Sequence, residues 1–415
     1  MTKTSSNDHS VNIKKKLASL KRTRRFVEWR DMRAFARSLD ELVVEIDQCI
    51  DDPWGRVSLL AGFIETDKSV FHRCDDSNGS VGDVYHEAIG LFINSAKQYQ
   101  DKKAITKLLL KLNKEDDFGI RSELINVALE CGLDEAMLRF MVDEFKKRAE
   151  QLTGEFEQGH QYMLVEMLAR QLGDAYLFEQ ACLAKWGELP VVSHIKIAEI
   201  HFNNGDLEDA CDYLNSIKSS ESFMARERDD LWLKIYRAQE DTESVVKILS
   251  KKFHQARSVI TFKTLLDEVG EDKREKILDD AVTQINEDET FNSSDTQFLI
   301  TVGRVNEAEA YLFKHADQID GHFYGGLLSL INLFEEQSCY LAMSLLYRRL
   351  LLSILERAFN KAYNSAAGHL KKLDKLEKRV ADWQGFETHQ DFKKNLIKKH
   401  GKKRSFWGKY EGHKK

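Results

Sequence analysis

Five short turns recur through the middle of the chain and constrain its fold more than any other feature. They read LGD at Gly173, NGD at Gly205, QED at Glu240, VGED at Gly270 and VGR at Gly303, spaced by 32, 35, 30 and 33 residues. Each follows one stretch with apolar residues at spacings of three and four and precedes another, which is the periodicity of an amphipathic helix. A single helix pair of this length cannot bury its own apolar face, so pairs repeated at this interval must stack on their neighbours. The spacing predicts an all-α fold, a helical-repeat solenoid.

Composition supports that expectation. Only two prolines, Pro53 and Pro190, occur in 415 residues, and so few suit long helices joined by short connections. With 42% hydrophobic and 31% charged residues the chain reads as globular. No sustained alternation of β-branched residues bounded by Asn-Gly or Asp-Gly turns marks a strand. The six cysteines (Cys49, Cys74, Cys131, Cys182, Cys211, Cys339) are scattered without a C-x-x-C pair, so reduced thiols are expected rather than zinc or disulfides. The most apolar stretches, LLSLINLF and LAMSLLYRRLLLSIL, are broken by Glu335, Glu336 and Gln337 and by Arg348 and Arg349. A bilayer span needs about 20 uninterrupted apolar residues, so these are expected to be buried helices, with no membrane partner. MTKTSSNDHSVNIKKKL lacks the apolar core of a signal peptide, and a cytoplasmic location is expected.

The segment VVSHIKIAEIHFNNGDLEDACDYLNSI resembles a tetratricopeptide unit. Ile197 and Ala198 stand where the first helix takes a large residue beside a small one, Gly205 and Asp206 form the turn, Ala210 is the small residue at the helix crossing, and Leu214 and Ile217 continue the stripe. Trp232, Leu233, Tyr236, Val245 and Leu249 keep the spacing with Val245 in the small position, and Gly303, Ala308 and Leu312 retain the second half. The expected organisation is a basic, partly disordered segment at 1–25, HEAT-like helices over 26–150, tetratricopeptide-like repeats over 155–317, a helical cap over 320–383, and a basic aromatic tail over 384–415. Within the HEAT-like region helices are expected at 26–50, 57–65, 83–100, 102–112, 121–130 and 134–150.

The pattern FHRCDDSNGSVGD and the chain end from AAGHLKKLDKL to HGKKRSFW resemble an uncharacterised group of bacterial proteins sharing a DDS-x-G-x-VG loop and an H-G-x-K-R-S-F-W tail. The tail is also similar to the ends of SWIM zinc finger proteins. The C-x-C and C-x-H metal motif of that family is absent here, so its zinc and DNA functions do not carry over.

Candidate sites follow from residue chemistry. The loop from Asp75 to Asp83 concentrates oxygen ligands, but neither register places glycine at position six and glutamate at twelve of an EF-hand; it reads instead as a turn whose Asp and Ser side chains satisfy free amides of the next helix. His72, Cys74, Asp76, Asp83 and His86 lack a metal-ligand spacing. His194 and His201 share a helical face at packing positions. No phosphate-binding loop, dinucleotide fingerprint, nucleophile elbow or kinase motif is present, so no catalytic residue, cofactor or metal is assigned and an enzyme is not expected.

In tetratricopeptide stacks the first helix of each pair lines the concave face. Mapped here, those positions are Arg170, Glu199, Phe202, Asn203, Lys234, Arg237, Gln297 and Ile300, a mixed-charge surface suited to a protein or peptide partner. The expected function is a protein-binding scaffold. The alternative is nucleic-acid binding by the basic ends. The charge is −6 overall but +7 over residues 1–30, +10 over 361–415 and −23 between. In the tail, Lys402, Lys403, Arg404 and Lys409 alternate with Phe406, Trp407 and Tyr410, a composition that can grip phosphates and stack on bases. The competing expectation is that 398–407 is an amphipathic helix that tucks Phe406 and Trp407 into the body.

Overall fold

The computed structural model describes residues 3–412; Met1, Thr2 and the last three residues of the basic tail lie outside them. Among the described residues the chain is α-helical apart from 3-10 turns and connections, and its one β feature is an isolated bridge between Val27 and Cys74. The all-α expectation holds. No described helix is long and apolar enough to cross a membrane. The chain forms two compact units, Met1–Ile235 and Tyr236–Lys415.

In the first unit, helix Lys3–Arg22 drives Ile13 and Leu17 into a core shared with helices Met32–Cys49 and Pro53–Ile64. The stretch before Met32 is not helical as expected. Val27 instead donates its N–H to Arg73 O at 2.8 Å, and Trp29–Asp31 makes a single 3-10 turn. Pro53 occupies the first turn of its helix, where the missing N–H is harmless, and the Asp52 carboxylate accepts from Gly55 N at 2.7 Å. Pro190 caps helix Val191–Asn204, so both prolines sit at helix starts. Helices Ser80–Gln98, Lys102–Leu112, Ile120–Asn126 and Glu135–Gln151 complete this region. From there helices Glu155–Leu172, Ala175–Trp186, Val191–Asn204 and Leu207–Asn215 each pack on the next in sequence.

One turn geometry joins most of the pairs. At Gly173, Gly205, Glu240 and Gly303 the backbone is left-handed, with φ of 64°, 89°, 57° and 89°. The following N–H then reaches back five residues: Asp174 to Ala169 O, Asp206 to His201 O, Asp241 to Tyr236 O and Arg304 to Leu299 O, all at 2.8–2.9 Å. This bond satisfies carbonyls that the helix end would otherwise leave open. Where the next residue is Asp174 or Asp241, its carboxylate also caps the second helix, accepting from Leu177 N or Ser244 N. Gly270 departs from the pattern, since its ψ of 152° is extended and a 3-10 turn, Glu271–Lys273, follows. A further copy lies at Ser338, φ 61°, with Cys339 N bonded to Phe334 O.

In the second unit, helices Ser293–Thr301 and Val305–Lys314 pair with each other, and Ser293–Thr301 also packs on Tyr324–Glu336. Helix Tyr340–Glu356 is buried along most of its length and lies between Tyr324–Glu336 and Tyr363–Leu376. Inside it Arg348 is enclosed between the rings of Trp383 at 4.8 Å and Phe392 at 4.7 Å and donates to Glu387 O; burial lowers its pKa to about 10.

Candidate partner-binding groove

Helices Glu155–Leu172, Val191–Asn204 and Ala225–Ala238 turn Leu164, Leu168, Ile195, Ala198, Leu231 and Ile235 inward. Their other side carries Arg170, Glu199 and Lys234. Glu199 accepts from Lys196 Nζ at 2.8 Å, and that bond, followed by the charges of Lys196, Lys234 and Arg170, holds its carboxyl below the usual range although partial burial opposes this. Side chains from three successive first helices thus share one field. Phe202 is half-buried against the Ile195–Ile235 core and Asn203 is exposed.

The remaining groove positions lie in the second unit. Arg237 pairs with Glu268 at 3.1 Å, and Gln297 is exposed. Ile300 is buried and cannot anchor a partner. Its helix packs on Val305–Lys314 and on Tyr324–Glu336.

Beside Arg170 the structure holds a cleft that the repeat mapping did not anticipate. Met163, Met167, Phe178, Trp186 and Val192 line a hollow of about 240 Å³ together with Glu166, Lys185 and Lys196. It adjoins a second hollow of about 480 Å³ bounded by Phe156 and His160. Phe156 is 86% exposed and Trp186 59%. Lys185 bridges the two features, 3.5 Å from Glu166 and 4.8 Å from the Trp186 ring.

Over residues 1–409 the sequence matches the family described as Family of unknown function (DUF6880). The chain belongs to that family. No curated protein matches it. The DUF6880 match spans both compact units and includes the groove, the Asp75–Asp83 loop and nearly all of the tail.

In this DUF6880 chain the loop works as a helix start. Asp76 accepts from Val81 N and Gly82 N, both at 2.8 Å, with one carboxylate oxygen each, and Asn78 accepts from Ser80 N. His86 turns away to Gly82 O and Glu123, while His72 meets the edge of Phe118. Burial pushes the Cys74 thiol pKa up. His72, Cys74, Asp76, Asp83 and His86 are not drawn into one ligand set among the described residues. None of the six cysteines forms a disulfide.

One group of donors does converge among the described residues. His201 Nδ1 lies 3.7 Å from carboxylate oxygens of both Asp206 and Asp209, and the ring stacks on Tyr213. These atoms lie within 4.8 Å of one another, close enough to ligate one ion. Both carboxylates are exposed, Asp206 stands at the start of helix Leu207–Asn215, and His201 Nδ1 has no hydrogen-bond partner.

The tail folds back in two helices, His389–His400 and Arg404–Glu411, and not as one continuous helix through 398–407. The break at Gly401 lets Phe406 become fully buried beside Tyr363. Trp407 is half-buried; it donates Nε1–H to His400 O and meets Phe406 and Tyr410 edge-on, and Lys409 bonds Asn364. Lys402 and Arg404 are exposed and Lys403 is half-buried, but the ring that would stack on a base is already packed.

Proposed function

We propose that the chain is a non-enzymatic scaffold that holds an extended protein segment along the first-helix face of tetratricopeptide-like pairs. The observation that carries this reading is the convergence of Arg170, Glu199 and Lys234 from three successive first helices beside an open apolar cleft. Local charge gives the partner's chemistry. Glu166 and Glu199 are taken by Lys185 and Lys196, whereas Arg170 and Lys234 have no carboxylate within ion-pair distance among the described residues. The complement is a segment with an aliphatic or aromatic side chain for the Met163–Trp186 cleft, flanked by acidic residues for Arg170 and Lys234. A buried anchor of this kind contributes most of the affinity of a short segment, and rim charges set its register.

A photo-crosslinking residue in place of Lys196 would capture the partner in cells, and its segment would then be titrated into purified protein by calorimetry. Met163→Asp and Lys234→Glu are each expected to weaken binding about tenfold, the loss of one anchor or one charge-assisted contact. A captured segment that binds both variants as tightly as the parent would defeat the proposal.

A further inference from the structure

The stretch from Arg24 to Arg37 carries cations that have no ion-pair partner among the described residues. Arg24, Arg25, Arg30, Arg33 and Arg37 are exposed. Neighbouring Lys16 and Lys21 pair with Glu45 and Glu65, but none of these five arginines has a carboxylate within ion-pair distance among the described residues. Glu28 and Asp31 are the only acidic residues interspersed among them. Arg30, Arg33 and Arg37, at spacings of three and four, follow one side of the 3-10 turn Trp29–Asp31 and the first turns of helix Met32–Cys49.

Their placement opposes the stability of the helix. A helix start is the positive end of its dipole and favours acidic residues. Here the first turn has none, and the cap residue Asp31 makes no side-chain bond. Below this face lies Arg73, only 7% exposed, whose Nε has no hydrogen-bond partner and whose guanidinium rests 4.8 Å from the ring of Phe35 in the same helix. Its carbonyl holds Val27, in the middle of the basic segment. Buried Arg73, whose Nε is unbonded, and the five surface arginines outnumber the two acidic residues among them, Glu28 and Asp31, and have no ion-pair partner among the described residues. Among these cations stand two open rings, Phe26 at 52% and Trp29 at 74% exposure.

We propose that this face, Arg24 to Arg37 with Phe26 and Trp29, is a binding site for single-stranded nucleic acid. Guanidinium groups pair with phosphate oxygens in a planar, two-bond fashion, and exposed rings stack on bases. A duplex hides its base faces from such rings, so the aromatic residues select the single strand. An anionic bilayer would also attract the arginines, but two isolated rings separated by Glu28 make a small apolar surface for insertion. The site is separate from the first-helix groove and stands or falls independently of it.

The test is fluorescence anisotropy of the full chain with labelled oligouridine and oligothymidine, alongside a duplex and phosphatidylserine vesicles. Single strands are expected to bind at low salt and to lose about a hundredfold in affinity between about 50 and about 200 mM salt, the slope for some five phosphate contacts. The triple variant Arg30→Glu, Arg33→Glu, Arg37→Glu is expected to abolish binding. Trp29→Ala is expected to weaken it about tenfold with the salt slope unchanged, since stacking releases no counterions. All four positions are exposed, and unchanged circular dichroism verifies folding. Changing Lys402, Lys403 and Arg404 to Glu should leave binding intact. The proposal is overturned if single strands do not bind at low salt, if the triple variant binds like the parent, if Trp29→Ala has no effect while duplex binds equally well, or if vesicles bind more tightly than single strands.

Discussion

Arg121 and Asp67, 54 positions apart, form a two-pronged, buried ion pair. Arg121 Nε donates to Asp67 Oδ2 at 3.0 Å and Nη2 to Oδ1 at 2.6 Å, while the same guanidinium reaches Leu112 O and Glu65 O. The pair ties the short helix Asp67–Phe71 to Ile120–Asn126. Removing one member strands the other charge in a low-dielectric interior. Asp67→Asn is therefore expected to destabilise the first unit by about 3–5 kcal/mol in urea unfolding, and a loss below about 1 kcal/mol, the scale of a surface pair, would contradict this account.

His369 gives the second unit a pH dependence. It is buried between Tyr324 and Tyr347, its Nε2 has no partner, and burial, helped by the charge of Lys372, lowers its pKa to about 4. The unfolded chain binds the proton first, near the ordinary value of 6.5. Stability from this group is full above that value and declines as pH falls toward 4, by up to about 3 kcal/mol. His369→Phe, which cannot titrate, should flatten the acid side of the stability curve; parallel curves for parent and variant would refute the assignment.

The repeated turn offers a reciprocal test. Glu240 holds a left-handed conformation that a side chain disfavours, in the position Gly205 fills at the equivalent turn. Glu240→Gly is expected to raise stability by about 1 kcal/mol and Gly205→Ala to lower it by a similar amount. A Cβ at Gly205 meets nothing within 4 Å, so its effect would be conformational alone. Thermal melts of the two variants should move in opposite directions.

A single carboxylate gathers three bonds from the tail. Asp374 accepts from His389 Nε2 at 2.8 Å, Lys393 Nζ at 2.8 Å and Tyr410 OH at 2.6 Å. Asp374→Ala removes all three bonds, each to a charged group and worth about 1.5–3 kcal/mol. Trypsin is expected to cut at Lys402, Lys403 and Arg404 more than about tenfold faster in this variant, as local opening becomes easier. Equal cleavage rates would show that burial of Phe406 alone holds the segment.

What could be read from the sequence divides along a physical line. The turns at Gly173, Gly205, Glu240 and Gly303 were legible because a left-handed residue followed by a cap is specified within a few positions. The copy at Ser338 was missed because serine does not advertise that conformation. Gly270 resembles the same turn in sequence because glycine permits many backbone angles, including the extended ψ it adopts. The helix expected from residue 26 was misplaced because Phe26, Trp29 and Met32, three apart, imitate a buried stripe, yet only Met32 enters the core. Ile300 could not be judged locally, since its helix packs not only on the next one but also on a helix more than twenty residues further on. The cleft at Trp186 was invisible for the opposite reason: an uncovered ring is known only when every neighbour is placed.

Helix Tyr340–Glu356 has consequences before the protein is finished. Thirteen of its seventeen residues are buried, and part of its cover, helix Tyr363–Leu376 and Phe392, is made after it. At ordinary rates of synthesis the ribosome needs about one to a few seconds to supply the next twenty residues. During that interval a strongly oily cylinder waits without its lid, and the nascent chain is most exposed to clumping, or to capture by a chaperone, at this step of its making.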